Sequence, residues 1–304
     1  MSIRKARYID GDFTRIRDFF VYSYKNLYRH HNWLIDRWNF CRYVAQSFHG
    51  TFESWPETIG IWETDGKDIV AIVNSEGEDR GEAFFQVGMH AILDDIYSEM
   101  LNHAETSLYS ERDSEKYINL RVDAEDARLK EFLKNRNYHA QDWKEPTSSM
   151  PIDGLFPLMI PDGFHIADAE STSPYQIGFA HGRAFGYYNN ETPDDEDAQK
   201  AFTSIRKAPD YNPKLDVSIL DENGDVASFA TIWHDTANRI GILEPVGTIP
   251  KYRGMGLGKA AIGEGINRVR ELGADKIYVG ADSGFYRSIG FSVEYEKEIW
   301  QKKW

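Results

Sequence analysis

Three glycines at alternate positions, flanked by cations, give the first chemical lead: Pro250-Lys251-Tyr252-Arg253-Gly254-Met255-Gly256-Leu257-Gly258-Lys259. Glycine lets a backbone approach a ligand closely and adopt conformations closed to other residues. Where such a stretch opens a helix, it offers a run of N–H groups without helical acceptors, together with the partial positive charge of the helix start. A phosphate group suits that cradle, and Arg253 and Lys259 add full charges beside it. Two familiar phosphate loops do not fit. A P-loop would need glycine where Arg253 stands and Ser or Thr where Ala260 stands. A dinucleotide fingerprint would need its third glycine at Lys259, one residue later than Gly258.

The elements around the loop follow from its neighbours. Residues 240–248 read as a strand that Pro250 stops, and Ile262, Ile266, Val269 and Leu272 mark an amphipathic helix running to about Gly273. Ile277-Tyr278-Val279 reads as the next strand. Phe285-Tyr286-Arg287-Ser288-Ile289-Gly290-Phe291 then forms a short helix ended by Gly-Phe.

This order of motifs resembles the GCN5-related N-acetyltransferase (GNAT) superfamily, whose acetyl-CoA loop has the pattern Arg/Gln-x-x-Gly-x-Gly/Ala, matched here by Arg253, Gly256 and Gly258. The specific likeness covers about 60 residues, and the order of elements extends it to roughly 140. The resemblance implies acetyl-CoA as co-substrate, no metal, and a splayed strand pair with the pantetheine arm in the gap. Val246, Gly247 and Thr248 would pair their backbone with that arm, while Arg253, Gly254, Met255, Gly256, Leu257, Gly258 and Lys259 would wrap the pyrophosphate. It also implies direct attack of an amine on the thioester. Alkyl amines are protonated at neutral pH, so a base is needed. Glu244, two residues before Val246 and so on the same face of a regular strand, is the candidate; the competing assignment is a carboxylate paired with a nearby Arg or Lys. Tyr286 holds the family's position for the acid that receives the departing thiolate, and its competing assignment is a packed aromatic. Many members carry an asparagine ahead of the short helix. Here Gly280-Ala281-Asp282-Ser283-Gly284 has none, and Asp282 or Ser283 would have to substitute.

Prolines at 146, 151, 157 and 161 divide the chain nearly in half, and prolines so closely spaced favour an extended connector. The first half repeats the order of the second. A short alternating run (Arg7–Asp10) precedes a helix face of Leu34, Trp38, Cys41, Ala45 and Phe48. Strand pairs follow around Asp65-Gly66, as around Asp221–Gly224 in the second half. Phe132–Tyr138 matches Phe285–Phe291 in spacing. The expected fold class is therefore α/β (α+β mixed sheet), two tandem GNAT domains: residues 1–145 degenerate and without cofactor, 146–161 a linker, 162–304 catalytic. The degeneracy is read from the strand around residues 82–87. It runs through Gly88-Met89-His90 into a helix with Ile92, Ile96 and Met100 without a Gly-x-Gly loop, and Leu133 stands where Tyr286 stands.

Composition narrows the partners. A net charge of −14 over 304 residues disfavours nucleic-acid binding, which needs basic surface; it suits a cationic small-molecule amine as acceptor and equally serves solubility. No apolar run approaches the ~20 residues of a membrane span, no signal-peptide pattern opens the chain, and Cys41 is the sole cysteine, so a cytoplasmic enzyme is expected. His30-His31 lacks companions for a metal site, and residues 191–197 read as an acidic first helical turn. Two other functions fit the loop alone: an acyl-CoA-binding regulator without turnover, and a protein lysine acetyltransferase.

Overall fold

The computed structural model describes residues 2–26, 32–46, 54–77, 80–88, 94–188 and 195–304. His30-His31, Phe48, Met89-His90, Ile92 and residues 191–194 lie outside them. The chain divides into two compact units, residues 1–146 with 293–304, and residues 147–292. Among the described residues no helix is long and apolar enough to cross a membrane.

Unit 1 is a mixed sheet with helices. Its strands are β1 (Ile3–Arg7), β2 (Gly60–Thr64), β3 (Ile69–Asn74), β4 (Glu82–Val87), β5 (Ser110–Arg112) and β6 (Glu115–Asp123). The chain's last strand, β13 (Ser292–Lys303), pairs antiparallel with β6, from Lys297 opposite Asp123 to Lys303 opposite Tyr117. The order is β1-β2-β3-β4-β6-β13. Residues 293–304, assigned by sequence pattern to the second half, thus complete the sheet of unit 1. Helices α1 (Asp12–Asn26), α2 (Ile35–Asn39), α3 (Asp94–Ser107) and α4 (Ala127–Asn135) accompany it. The expected face of Trp38, Cys41 and Ala45 is buried, although the chain winds as a π-helix from Phe40 to Ala45. Leu34 precedes α2 as its N-cap.

Unit 2 repeats this plan. Strand β7 (His139–Pro151) supplies residues 148–151, which pair with β12 (Lys276–Val279); the start of the expected linker is therefore strand. The remaining strands are β8 (His165–Asp168), β9 (Asp216–Leu220), β10 (Val226–Asp235) and β11 (Ile240–Thr248), in the order β7-β12-β11-β10-β9-β8. Helix α5 (Pro174–Phe185) starts with a capping box. Ser173 Oγ accepts from the Gln176 N–H, and Gln176 Oε1 accepts from the Ser173 N–H. Helices α6 (Asp195–Ile205), α7 (Leu257–Glu271) and α8 (Gly284–Ile289) follow. Ile262, Ile266 and Val269 of α7 pack into a core with Val217, Ile232, Leu243 and Ile277. Leu272, expected on the same face, caps the helix and is 49% exposed, because α7 ends one residue before it.

The two units close with the same turn. The Tyr138 N–H reaches back to Leu133 O at 3.0 Å, and the Phe291 N–H reaches back to Tyr286 O at 3.1 Å. In each, the residue before carries positive φ: 63° at Asn137 and 123° at Gly290. This is the six-to-one bond that satisfies a helix's last carbonyls, at the positions the sequence alignment pairs.

Candidate functional site

The site begins with a break in the sheet of unit 2. Strands β11 and β12 run parallel only over Ile240–Lys276, Gly241–Ile277 and Ile242–Tyr278; beyond Ile242, β11 has no strand partner on that side among the described residues. On its other side β11 stays paired with β10, with Val246 opposite Ala230, Gly247 opposite Phe229 and Thr248 opposite Ser228. The Ile249 N–H goes to Ala227 O, so Gly247 and Ile249 direct their peptide groups to β10 while Val246 and Thr248 direct theirs into the gap.

A bulge separates Glu244 from this register. Ala230 faces Val246 but Ile232 faces Leu243, leaving Glu244 and Pro245 opposite one residue. Val246 therefore shares the face of Leu243, and the alternation that put Glu244 and Val246 on one face does not hold. The extra residue is the physical reason, since a bulge re-aims the side chains at it. Glu244 is exposed at the bulge, and its carbonyl accepts the Trp233 indole N–H at 2.8 Å.

The glycine loop lies at the end of β11. Gly254 and Gly256 have φ of 80° and 85°, and Gly256 is the N-cap of α7 without a side-chain cap. The first N–H of this turn with a backbone acceptor is that of Ala260, which goes to Gly256 O at 3.0 Å. Gly258 has a different reason to be glycine: a Cβ there would stand 3.1 Å from Thr248 Oγ1 and 3.3 Å from Phe285 Cζ. At Gly247 a Cβ would meet Phe229 Cζ at 2.5 Å and Ala184 Cβ at 3.0 Å. Ser228 Oγ donates to Gly247 O (2.9 Å), so the 2.8 Å contact between Ser228 Oγ and Thr248 Oγ1 is donated by Thr248. At the other end of the loop, Tyr252 OH donates to Asp221, which also accepts from the N–H groups of Asn223 and Asp225. Burial opposes ionisation of Asp221, but those donors outweigh it and hold its pKa below the usual carboxylate range.

Arg253 and Lys259 form no ion pair among the described residues. The Arg253 guanidinium instead donates to Thr248 O (3.1 Å) and to Ala184 O in the last turn of α5 (2.7 Å). Lys259 Nζ stands 5.7 Å from the centre of the Phe156 ring. Among the described residues neither charge is compensated by a carboxylate, which leaves both free to attract an anion.

Val246, Gly247, Thr248, Arg253, Gly254, Gly256, Leu257, Gly258, Lys259 and Tyr286 line a single cavity of about 510 Å³. Met255 (43% exposed) and Glu244 do not line it. Two further residues do, Tyr252 and Phe285; both lie inside the motifs, and nothing in their types marked them. Tyr286 is half-buried and packs against Phe285 and Phe291. Burial, and secondarily the negative charge of Glu244, push its pKa up to about 12. Neither expected substitute for the missing asparagine is free. Asp282 forms a two-pronged pair with Arg287 (2.7 and 2.6 Å), and Ser283 Oγ caps α8 by accepting the Tyr286 N–H. His181, on α5 one turn before Ala184, was not marked by sequence. It is surrounded by Phe185, Tyr187, Phe202 and Phe229 with centroids 4.5 to 5.9 Å away, and burial lowers its pKa to about 4.

Residues 180–292 match the family model described as Acetyltransferase (GNAT) family. A mycothiol acetyltransferase of Corynebacterium aurimucosum is 32% identical over 106 residues, covering 30% of this chain and 35% of that protein; the match thus spans about a third of that relative's length. Two solved structures share the fold over nearly the whole chain. A tandem GNAT protein from the clavulanic acid biosynthesis pathway gives a TM-score of 0.66 at 12% identity, covering 99% of this chain and 98% of that one. A GCN5-related N-acetyltransferase from Sphaerobacter thermophilus gives 0.63 at 12% identity, covering 99% and 95%.

Proposed function

We propose that this chain is a tandem GNAT protein, its residues 180–292 matching the acetyltransferase (GNAT) family model, and that unit 2 transfers acetyl from acetyl-CoA to a primary amine of a small cationic molecule. One observation carries this reading: the unpartnered stretch of β11 opens into the same cavity as an N–H cradle, two uncompensated cations and the Tyr286 phenol. The residues fit the co-substrate. The cradle and Arg253 suit a diphosphate, and the gap-facing peptide groups of Val246 and Thr248 suit the amides of a pantetheine arm. Acetyl-CoA supplies there an activated thioester.

The chain's own residues then have three tasks. Residues 253–259 fix the phosphates, and β11 orients the arm. The Val246 N–H, facing the gap, is positioned to donate to the thioester oxygen as charge develops on it. Glu244, outside the cavity lining but near enough for its charge to act on Tyr286, would take the proton that the attacking amine must lose, and Tyr286 would donate its O–H to the sulfur as the C–S bond breaks and the electron pair leaves with it. The sequence of unit 1 has no Gly-x-Gly after its matching strand and has Leu133 at the position of Tyr286, so unit 1 does not catalyse in this reading.

Thiol release from acetyl-CoA, followed over a panel of amines and lysine peptides, tests it. Turnover on a small amine supports the proposal. CoA binding with no turnover on any amine would favour a binding regulator, and turnover on lysine peptides alone would favour protein acetylation. No binding of CoA would overturn the assignment of the site.

A further inference from the structure

Unit 1 has the same break in its sheet as unit 2. Strands β4 and β6 run parallel over Glu82–Asn119, Ala83–Leu120 and Phe84–Arg121, and past Phe84 the pairing stops. On the other side Val87 lies opposite Ala71, as Val246 lies opposite Ala230, and each valine is followed by glycine. The Gly88 N–H goes to Val70 O at 2.7 Å, so the peptide groups of Val87, like those of Val246, face the gap.

In unit 1 that gap is filled. Asn32 Nδ2 donates to Val87 O, and Val87 N donates to Asn32 Oδ1, both at 2.8 Å. One side-chain amide satisfies both peptide groups of the residue, as a neighbouring strand or a ligand amide would. The next residue continues the pairing, its Trp33 N–H going to the buried Gln86 Oε1 at 2.9 Å. The Trp33 ring packs on Phe84 at 4.7 Å. The Arg37 guanidinium covers Phe84 at 4.5 Å and is fastened to Glu76 and Glu145. Asn32 and Trp33 are 8% and 4% exposed.

We propose that unit 1 retains an acyl-CoA arm slot closed by its own chain, with the Asn32 carboxamide standing in for the amide of a pantetheine arm. The protein then takes one acyl-CoA, in unit 2, and unit 1 is a permanently occupied copy of the site. The identity of the ligand that Asn32 imitates rests on the function proposed for unit 2; the closure of the slot does not.

Amide hydrogen exchange of the full chain, with and without CoA, together with CoA stoichiometry by calorimetry, tests this. The expected result is one CoA per chain. The Val87 N–H should be slow to exchange without CoA and unchanged by it, while the Val246 N–H exchanges freely without CoA and slows at least 10-fold with it. Two CoA per chain, or slowing at Val87 on CoA addition, would overturn the proposal. If CoA binds nowhere, the function proposed for unit 2 fails, and Val87 alone decides the closure. In Asn32→Ala the Val87 N–H should lose its protection while the Gln86 and Gly88 N–H groups, bonded to β3, keep theirs. Should that variant unfold, Asn32→Asp retains the acceptor for the Val87 N–H and should retain its slow exchange. Free exchange at Val87 in the unaltered protein would refute the closure outright.

Discussion

Replacing Tyr286 by phenylalanine isolates one oxygen. The ring contacts with Phe285 and Phe291 survive, and so do the hydrogen bonds that hold α8, because the Tyr286 N–H and carbonyl that cap and close it belong to the backbone. What is lost is an O–H whose pKa burial raises to about 12. A thiol resembling cysteine ionises near 8.5, so complete transfer of the phenolic proton to the departing sulfur is uphill by about 3.5 units, or about 5 kcal/mol at 1.36 kcal/mol per unit. Donation without transfer is the favoured role, since hydrogen bonds to charged groups contribute about 1.5–3 kcal/mol. Such a bond is made to charge that appears only as the C–S bond breaks, so its loss falls on kcat. Tyr286→Phe should therefore lower kcat about 10- to 150-fold and change KM for acetyl-CoA less than about threefold. Initial rates of thiol release at saturating amine measure both. An unchanged kcat would make Tyr286 a packing residue. A fall confined to KM would make it a binding residue, and either result refutes the reasoning.

Arg253→Ala removes a charge from an exposed loop and two bonds to carbonyls. CoA affinity by calorimetry should fall about 10-fold or more with little change in melting temperature, and unaltered affinity would exclude the phosphate role. Gly247→Ala puts a methyl group 2.5 Å from Phe229 Cζ, a ring with no exposure. The overpacking should destabilise unit 2 by about 1–3 kcal/mol in denaturant melts, and Phe229→Leu added to it should restore part of the loss; a neutral single variant would contradict the packing. Lys297 is buried, and burial followed by the charge of Arg37 depresses its pKa to about 8. The unfolded chain, with an ordinary lysine, binds more protons between about pH 8 and 10.5, so this residue should make stability rise with pH across that window. Lys297→Met should flatten the rise in chemical denaturation measured at pH 8 and 10, and an unchanged slope would refute the assignment.

The parts legible from the residues are those where local chemistry decides. Pro250 and the alternating glycines announced a strand, a loop and a helix start, and these are the end of β11, the turn and α7. The closing turn of each unit was legible because a left-handed residue at a fixed distance from a helix is a local requirement. Pairings between distant segments were not. Nothing in residues 292–303 states that they pair with β6, because alternation fixes which face a strand buries and leaves its partner open. Glu244 shows the same limit on a smaller scale. Counting by twos from Val246 assumes an uninterrupted register, and the bulge places Glu244 and Pro245 opposite Thr231 alone. The Arg253–Ala184 bond joins positions 69 residues apart, and sequence spacing carries no trace of it.

Comparing the two units separates what the fold requires from what the chemistry requires. Both keep the interrupted parallel pair, the valine whose peptide faces the gap, the glycine after it and the six-to-one turn after the short helix. Those features are therefore compatible with a packed unit whose sequence carries no Gly-x-Gly motif. Gly254 and Gly256 have no counterpart in unit 1's sequence pattern, and a Cβ on either would meet nothing within 4 Å. Packing gives no reason for them. Their positive φ does, because a left-handed turn at both positions aims successive N–H groups toward one point. A substitution at Gly256 that adds only a methyl group would thus strain the turn by about 1–2 kcal/mol without touching a neighbour, and it falls at the cradle. In unit 1 an asparagine side chain suffices to satisfy both peptide groups of the gap-facing valine, and its sequence there keeps no Gly-x-Gly pattern.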